Sequence, residues 1–113
     1  MNTKRGNGDI RIELMDDITF ANASRLKKEM LRQIDEDVER VIINISQVEF
    51  MDSSGIGVLI SLYKIVESMG GQLIIEHPNL GVQKLFEMTK LDEILDVRKV
   101  KEQTTGSWED FDD

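Results

Sequence analysis

The sequence contains no cysteine and a single histidine, His77. Without thiols there are no disulfide bonds and no cysteine-based metal site, and one histidine excludes a histidine-rich metal site. Long apolar runs are also missing. None approaches the roughly 18 residues of a membrane-spanning helix, and the residues after Met1 lack the apolar core of a signal peptide. The sequence therefore predicts a cytoplasmic protein without direct membrane insertion and without a bound metal or cofactor.

Basic residues are scarce relative to acidic ones. The 113 residues include 14 Lys and Arg against 22 Asp and Glu, giving a formal net charge of -8. A surface that binds nucleic acid has to be basic, so this charge argues against a nucleic-acid partner. The excess is concentrated in residues 102–113, which hold five acids and no base. We expect this acidic tail to be mobile, and Trp108 and Phe111 within it suggest the hypothesis that it docks on a basic partner surface.

The rest of the sequence alternates between strand and helix patterns, and its length suits a single domain. Strand patterns occupy four segments, at 9–14, 40–45, 72–76 and 97–100. Helix patterns occupy 23–34, a stretch from 56 to the glycines at 70–71, and 80–89, with a short helical turn at 91–95. Asn22 is the predicted N-cap of the first helix. These patterns predict an α/β fold, a single layer of mixed β-sheet covered by amphipathic helices, over residues 9–101, after a flexible N-terminal segment at 1–8.

The segment Met51-Asp52-Ser53-Ser54-Gly55-Ile56-Gly57 joins a strand region to a helix through small and polar residues. Its position predicts that Asp52 or a serine caps the helix and that a hydroxyl is exposed beside free backbone N–H groups. A helix start favours added negative charge, so a serine there can carry a phosphate without local unfolding. The same residues also make an ordinary helix cap, and the residues alone leave both interpretations open.

Other candidate chemistry is weaker. The glycines of this segment lack the GxxxxGK[ST] spacing of a phosphate-binding loop, and its serines lack the GxSxG elbow of hydrolases. A Ser-His-acid triad would need His77, which we interpret as a surface-loop residue because it directly precedes Pro78. The pair Asp16-Asp17 is interpreted as a turn rather than a catalytic carboxylate pair. These patterns give no support for a catalytic site, and we expect the protein not to be an enzyme. Nucleotide binding or weak nucleotide hydrolysis at the helix start near Gly55 and Gly57 is a minor rival.

Two stretches of the sequence resemble the STAS domain family and, within it, the bacterial anti-sigma factor antagonists. The first stretch is Val48-x-Phe50-Met51-Asp52-Ser53-Ser54-Gly55-Ile56-Gly57-Val58, preceded by the strand pattern at 41–45. The second begins at Gly70 and continues through Val82-x-x-Leu85-Phe86 to Ile94, so that the similarity spans about residues 9–98. The resemblance implies a STAS-like arrangement of the predicted sheet and helices.

The resemblance also implies a partner switch. Family members bind a cognate anti-sigma factor, which is also a serine kinase using ATP and magnesium, and so free a sigma factor. The kinase phosphorylates the serine directly after the aspartate, here Ser53, and the complex then falls apart until a phosphatase of the PP2C-like class restores the binding form. The protein itself is expected to be a monomer or a weak dimer.

Partner contacts are implied in the motif and in the turn before the first helix. They comprise Asp52, Ser53, Ser54, Gly55 and Ile56 in the motif, and Thr19 and Phe20 in the turn. Family members commonly have a Gly-Glu-Leu-Asp-like turn there, whose last aspartate helps partner binding or phosphorylation, and Asp16-Asp17-Ile18-Thr19 takes its place here. Residues 18–23 look more like STAS domains attached to sulphate-type anion transporters. The alternative function is therefore a free-standing subunit that regulates a membrane anion transporter or an ABC-type transporter.

Overall fold

Residues 1–99, which the computed structural model describes, form an α/β domain built on one sheet. In chain order the elements are β1 (Asn2–Gly6), β2 (Asp9–Glu13), α1 (Ala23–Gln33), β3 (Arg40–Asn44), α2 (Ser53–Ser68), β4 (Gln72–Glu76), α3 (Leu80–Met88), a 3-10 helix (Leu91–Glu93) and β5 (Asp96–Arg98). The strands are arranged β1-β2-β3-β4-β5, so each strand pairs with its neighbour in the chain. The predicted fold class is confirmed.

The sheet is mixed because β1 runs antiparallel to β2, whereas the other neighbouring pairs are parallel. The first two strands are joined by Asn7 and Gly8, both with positive φ (54° and 84°), and Gly6 pairs with Asp9 across this turn. Positive φ at both central residues is the mark of a tight hairpin turn. The prediction of a flexible segment at 1–8 is therefore wrong, since Asn2–Gly6 is an edge strand of the sheet.

One face of the sheet forms the hydrophobic core with the helices. Alternate strand residues point to this face because side chains in a strand have a period of two. The sheet contributes Ile10, Ile12, Val41, Ile43, Leu73 and Ile75, and the helices contribute Leu26, Met30, Leu59, Leu62, Val66, Val82 and Phe86 to the same buried cluster. The amphipathic patterns of the three helices are thus explained by a single buried face.

The opposite face of the sheet is covered by charged side chains. Ile42 and Ile74 are 3% and 1% exposed there, and neither belongs to the main core cluster. Arg11 of β2 reaches across β3 to Glu76 of β4 (3.2 Å), and Arg40 pairs with Asp9 (2.6 Å). The alkyl parts of such arginines can shield apolar groups while their charged ends stay in water. The strand β3 is thus buried on both faces, but only one of these faces is buried by helices.

The observed boundaries follow the predicted ones closely in the centre of the chain. The β4 strand has the predicted limits, and α2 begins three residues before the predicted position at Ile56. The last strand lies at Asp96–Arg98 instead of 97–100. The predictions for the acidic tail at 102–113, including Trp108 and Phe111, lie outside the described residues. Among the helices of residues 1–99, none has both the length and the hydrophobicity that crossing a bilayer requires.

Candidate functional site

The start of α2 is capped by Asp52, as the sequence predicts. Asp52 has extended backbone dihedral angles (φ -98°, ψ -171°), and its Oδ1 accepts a hydrogen bond from the backbone N–H of Ser54 at 2.8 Å. This is the usual geometry of an aspartate N-cap. Ser53 is the first residue of the helix and is exposed, whereas Ser54 is half-buried. Of the two serines, Ser53 is therefore the more exposed.

The turn between β2 and α1 is fastened to this helix start. The backbone N–H of Phe20 donates to Oδ2 of Asp52 at 3.0 Å, and the backbone N–H of Asp52 donates to the carbonyl of Ile18 at 3.1 Å. Ile18 also forms an isolated parallel bridge with Met51. Phe20 is 87% exposed even though its backbone is held. Two segments that lie about 30 residues apart in the sequence thus form one surface, as the predicted site requires.

Asp17 has a structural role that the sequence analysis missed. Its Oδ1 accepts hydrogen bonds from the backbone N–H groups of Glu49 (2.8 Å) and Phe50 (3.1 Å). Asp17 is therefore more than a turn residue, because it holds the loop that leads into Asp52. No local sequence pattern could have revealed this contact, since its partners are 32 and 33 residues away.

Asn22 stabilises the same turn rather than the helix that follows it. It occupies the N-cap position of α1, but its side chain makes no capping hydrogen bond to that helix. Instead its Oδ1 accepts from the backbone N–H of Thr19 (2.9 Å), and its Nδ2 donates to the carbonyl of Asp17 (2.8 Å). Asn22 is thus the N-cap residue, as predicted, but its side-chain amide fixes the shape of the turn that presents Thr19 instead of bonding to the helix.

Gly55 and Ile56 lie inside the protein. Ile56 is 8% exposed and belongs to the core cluster. Gly55 is buried, and a Cβ atom added to it would overlap Cγ of Met51 and lie 3.1 Å from Cβ of Ile18. Gly55 thus allows α2 to approach the turn that carries Phe20. These two motif residues determine where Ser53 is held, rather than forming the surface around it.

Hydrogen bonds within the protein already use most of the N–H groups at the helix start. Those of Gly55 and Ile56 donate to the carbonyl of Asp52 at 3.0 Å and 3.3 Å, and that of Ser54 donates to its carboxylate. The predicted free N–H groups beside the hydroxyl are therefore wrong at these three positions. Nucleotide binding at this helix start loses its main support, because a phosphate is held there by free N–H groups.

His77 lies in the loop after β4, as predicted, but it is not a simple surface residue. Its φ is 63°, its backbone N–H donates to the carbonyl of Arg98 (2.8 Å), and its Nδ1 is buried and finds no hydrogen-bond partner among residues 1–99. These contacts tie His77 to β5. In residues 1–99 no cluster of three or more His, Cys, Asp or Glu side chains is arranged to hold a metal ion.

The hydrogen bonds around Asp52 also set its charge state. Partial burial raises the pKa of this carboxyl, but donation from the backbone N–H groups of Phe20, Ser54 and Gly55 favours the ionised form more strongly. The net effect holds the pKa of Asp52 below its ordinary range. An ionised carboxylate therefore stands beside Ser53 at neutral pH.

Replacing Asp52 by asparagine should lower the melting temperature at pH 7. A carboxyl whose pKa is lowered by folding stabilises the protein above its unfolded-state pKa, and this contribution is lost as the pH falls through the folded-state pKa. The difference between wild type and Asp52→Asn should therefore shrink below about pH 4. Thermal unfolding of both proteins between pH 7 and pH 3 measures this difference in melting temperature. A difference that stays constant over this range would contradict a role for the charge.

The STAS domain family model matches residues 1–104, which is most of the chain and includes both segments of the site. The chain belongs to the STAS domain family. The predicted resemblance is confirmed.

Relatives of this STAS domain include anti-sigma factor antagonists and a sulfate transporter. The anti-sigma-B factor antagonist of Bacillus subtilis is 27% identical over 97 residues, covering 86% of this chain and 88% of the relative. Sulfate transporter 3.1 of Arabidopsis thaliana is 31% identical over 94 residues, covering 74% of this chain but 14% of the transporter. The crystal structure of a candidate anti-sigma factor antagonist from Thermotoga maritima matches with a TM-score of 0.82 at 22% identity, covering 93% of this chain and 91% of that one. This last likeness shows the fold.

Proposed function

We propose that this STAS domain is an anti-sigma factor antagonist whose binding is switched off by phosphorylation of Ser53. One observation carries the proposal: Ser53 is exposed at the first position of α2, beside a carboxylate tied to the turn that presents Phe20. The partner is an anti-sigma factor that is also a serine kinase, and a PP2C-like phosphatase restores the binding form. The name of the Bacillus subtilis relative, which aligns over nearly its full length, supports this choice.

The unmodified site is suited to a protein interface. The ring of Phe20 is almost fully exposed although its backbone is fixed by Asp52. An aromatic side chain on a rigid backbone can anchor a partner at a low cost in conformational entropy. We assign direct contacts to Ser53, Ser54, Thr19 and Phe20. The buried residues Gly55 and Ile56 keep the partner surface in shape.

Phosphorylation changes the charge of this surface more than its shape. A phosphate adds about -1.5 to -2 units of charge at neutral pH. In the free protein that charge lies at an exposed helix start, where it is tolerated. In the complex it would be desolvated next to the ionised Asp52, and an unpaired buried charge is strongly unfavourable. The switch therefore requires no conformational change within the domain.

Incubation with kinase and ATP tests the proposal directly. Each anti-sigma factor of the source genome that carries a serine-kinase domain is purified and mixed with the protein, ATP and Mg²⁺, and the product is mapped by mass spectrometry. We expect one phosphate on Ser53, because its hydroxyl is the exposed one. Ser53→Ala should abolish the modification, and the matched Ser54→Ala control should retain it. Absence of phosphate from Ser53 with every kinase would refute the switch.

A second candidate function is regulation of a membrane transporter. The match to sulfate transporter 3.1 supports it, since that relative is 31% identical and carries the matching segment within a much longer chain. In that case the surface around Phe20 would bind a membrane protein. Affinity capture from detergent-solubilised membranes, with wild type and Phe20→Ala as baits, separates the two functions. A transporter subunit retained by wild type but not by Phe20→Ala supports regulation of transport, whereas an anti-sigma factor retained from the soluble fraction supports the switch.

A further inference from the structure

Gly57 is an exposed glycine in the interior of α2 that no contact among residues 1–99 explains. A Cβ atom added at this position would meet no atom of these residues within 4 Å. Glycine inside a helix is less favourable than alanine because its backbone loses more freedom on folding. Gly55, two residues earlier, is required by the close approach of Met51. Folding therefore accounts for Gly55 but not for Gly57.

The position of Gly57 relative to Ser53 suggests why a side chain is absent at this position. Residues four apart lie on the same face of a helix, here about 6 Å apart along the axis. Gly57 also lines a shallow depression between α1 and α2, together with Ser24, Ser54 and Ser61. Because position 57 is a glycine, no side chain projects there from the helix face that Ser53 shares.

Phosphoryl transfer requires the kinase to fit closely against the surface around Ser53. The serine oxygen has to lie in line with the γ-phosphate of the nucleotide, so the kinase must bring its active site onto Ser53. An extended peptide can be drawn into a kinase cleft, but Ser53 is held in a helix whose start is tied by Asp52 to both Ser54 and Phe20. The kinase therefore has to receive the first turns of α2 as a rigid body.

We propose that Gly57 is a specificity-determining residue for the kinase, because the absence of a side chain lets the kinase close over the first two turns of α2. This inference rests on the proposed function, since it requires a kinase that acts on Ser53. A long side chain at position 57 points in the same direction as Ser53 and keeps the hydroxyl away from the γ-phosphate. The fold tolerates that side chain, while the kinase does not.

Two substitutions of Gly57 and one matched control test the inference. Gly57→Ala should raise the melting temperature by about 2–8 °C, because alanine is the better helix former and its methyl group meets open space. Gly57→Gln should remain folded and lose at least about tenfold in kcat/KM for phosphorylation of Ser53, an effect of the size that a modest steric clash produces. Lys64→Gln places the same side chain on the same face of α2, roughly three turns from Ser53, and should keep the wild-type rate.

The outcomes separate this inference from the proposed function. Normal phosphorylation of Gly57→Gln, or an equal loss in Lys64→Gln, would overturn the role of Gly57 while the switch at Ser53 stands. A melting temperature of Gly57→Ala below that of wild type would overturn it as well, since the fold would then require the glycine. If no kinase modifies wild-type Ser53, the proposed function fails and the inference fails with it.

Discussion

Replacing Ser53 by aspartate should weaken binding to the anti-sigma factor by about a hundredfold or more. The substitution adds a second carboxylate next to Asp52, at the centre of the proposed interface. Docking has to remove both carboxylates from water, and an unpaired buried charge costs several kcal/mol. A hundredfold loss corresponds to about 2.7 kcal/mol, well within that cost. Isothermal titration of the purified anti-sigma factor into wild-type and substituted protein measures the change.

Ser53→Asn is the matched control for that experiment. Asparagine has nearly the shape of aspartate but no charge, so the pair separates the effect of side-chain size from that of charge. We therefore expect Ser53→Asn to keep clearly more affinity than Ser53→Asp. Equal losses for asparagine and aspartate would show that shape rather than charge controls binding. Full affinity of Ser53→Asp would contradict the electrostatic switch.

Replacing Gly55 by alanine should lower the free energy of unfolding by about 1–3 kcal/mol, the usual range for adding atoms to a packed interior. The new methyl group would overlap Met51 and press on Ile18, which carries the turn leading to Phe20. Neither neighbour can move freely, because both are buried and Ile18 is hydrogen bonded to the loop before Asp52. Chemical denaturation with urea measures the loss.

A double-mutant cycle with Met51→Ala identifies the cause of that loss. Shortening Met51 opens space beside position 55, so Gly55→Ala should cost much less in this background than in wild type. An equal cost in both backgrounds would rule out the Met51 overlap as the origin. Gly57→Ala provides the internal comparison, since the same substitution in the same helix should then have the opposite sign.

Most of the fold follows from short-range patterns in the sequence. The run at 72–76 is flanked by a glycine pair and by Pro78, and both limits of β4 are therefore visible in the sequence. The first strand escaped prediction because its side chains are polar and mostly exposed, so it has no apolar alternation. A usable signal was nevertheless present, because Asn-Gly at positions 7 and 8 is a strong hairpin signature ahead of the alternating strand β2.

The candidate site likewise contains residues whose role could be predicted from the sequence and residues whose role could not. Asp52 and Ser53 were predictable, since a small polar motif before an amphipathic helix marks a helix cap. The contacts made by Asp17 were not, because its carboxylate binds N–H groups more than 30 residues away. Asn22 shows the same limit, since its side chain binds backward to the turn instead of capping its own helix. Side-chain hydrogen bonds between distant loops leave no periodic trace in a sequence.

The strand order also has a consequence for synthesis on the ribosome. Each strand from β2 to β5 pairs with the strand translated just before it, so the sheet can grow from one edge to the other without leaving a gap for a later segment. The Asp52–Phe20 tether joins residues that both precede β4. The residues of the proposed switch are thus translated before β4, and their framework can begin to assemble while β5 is still untranslated.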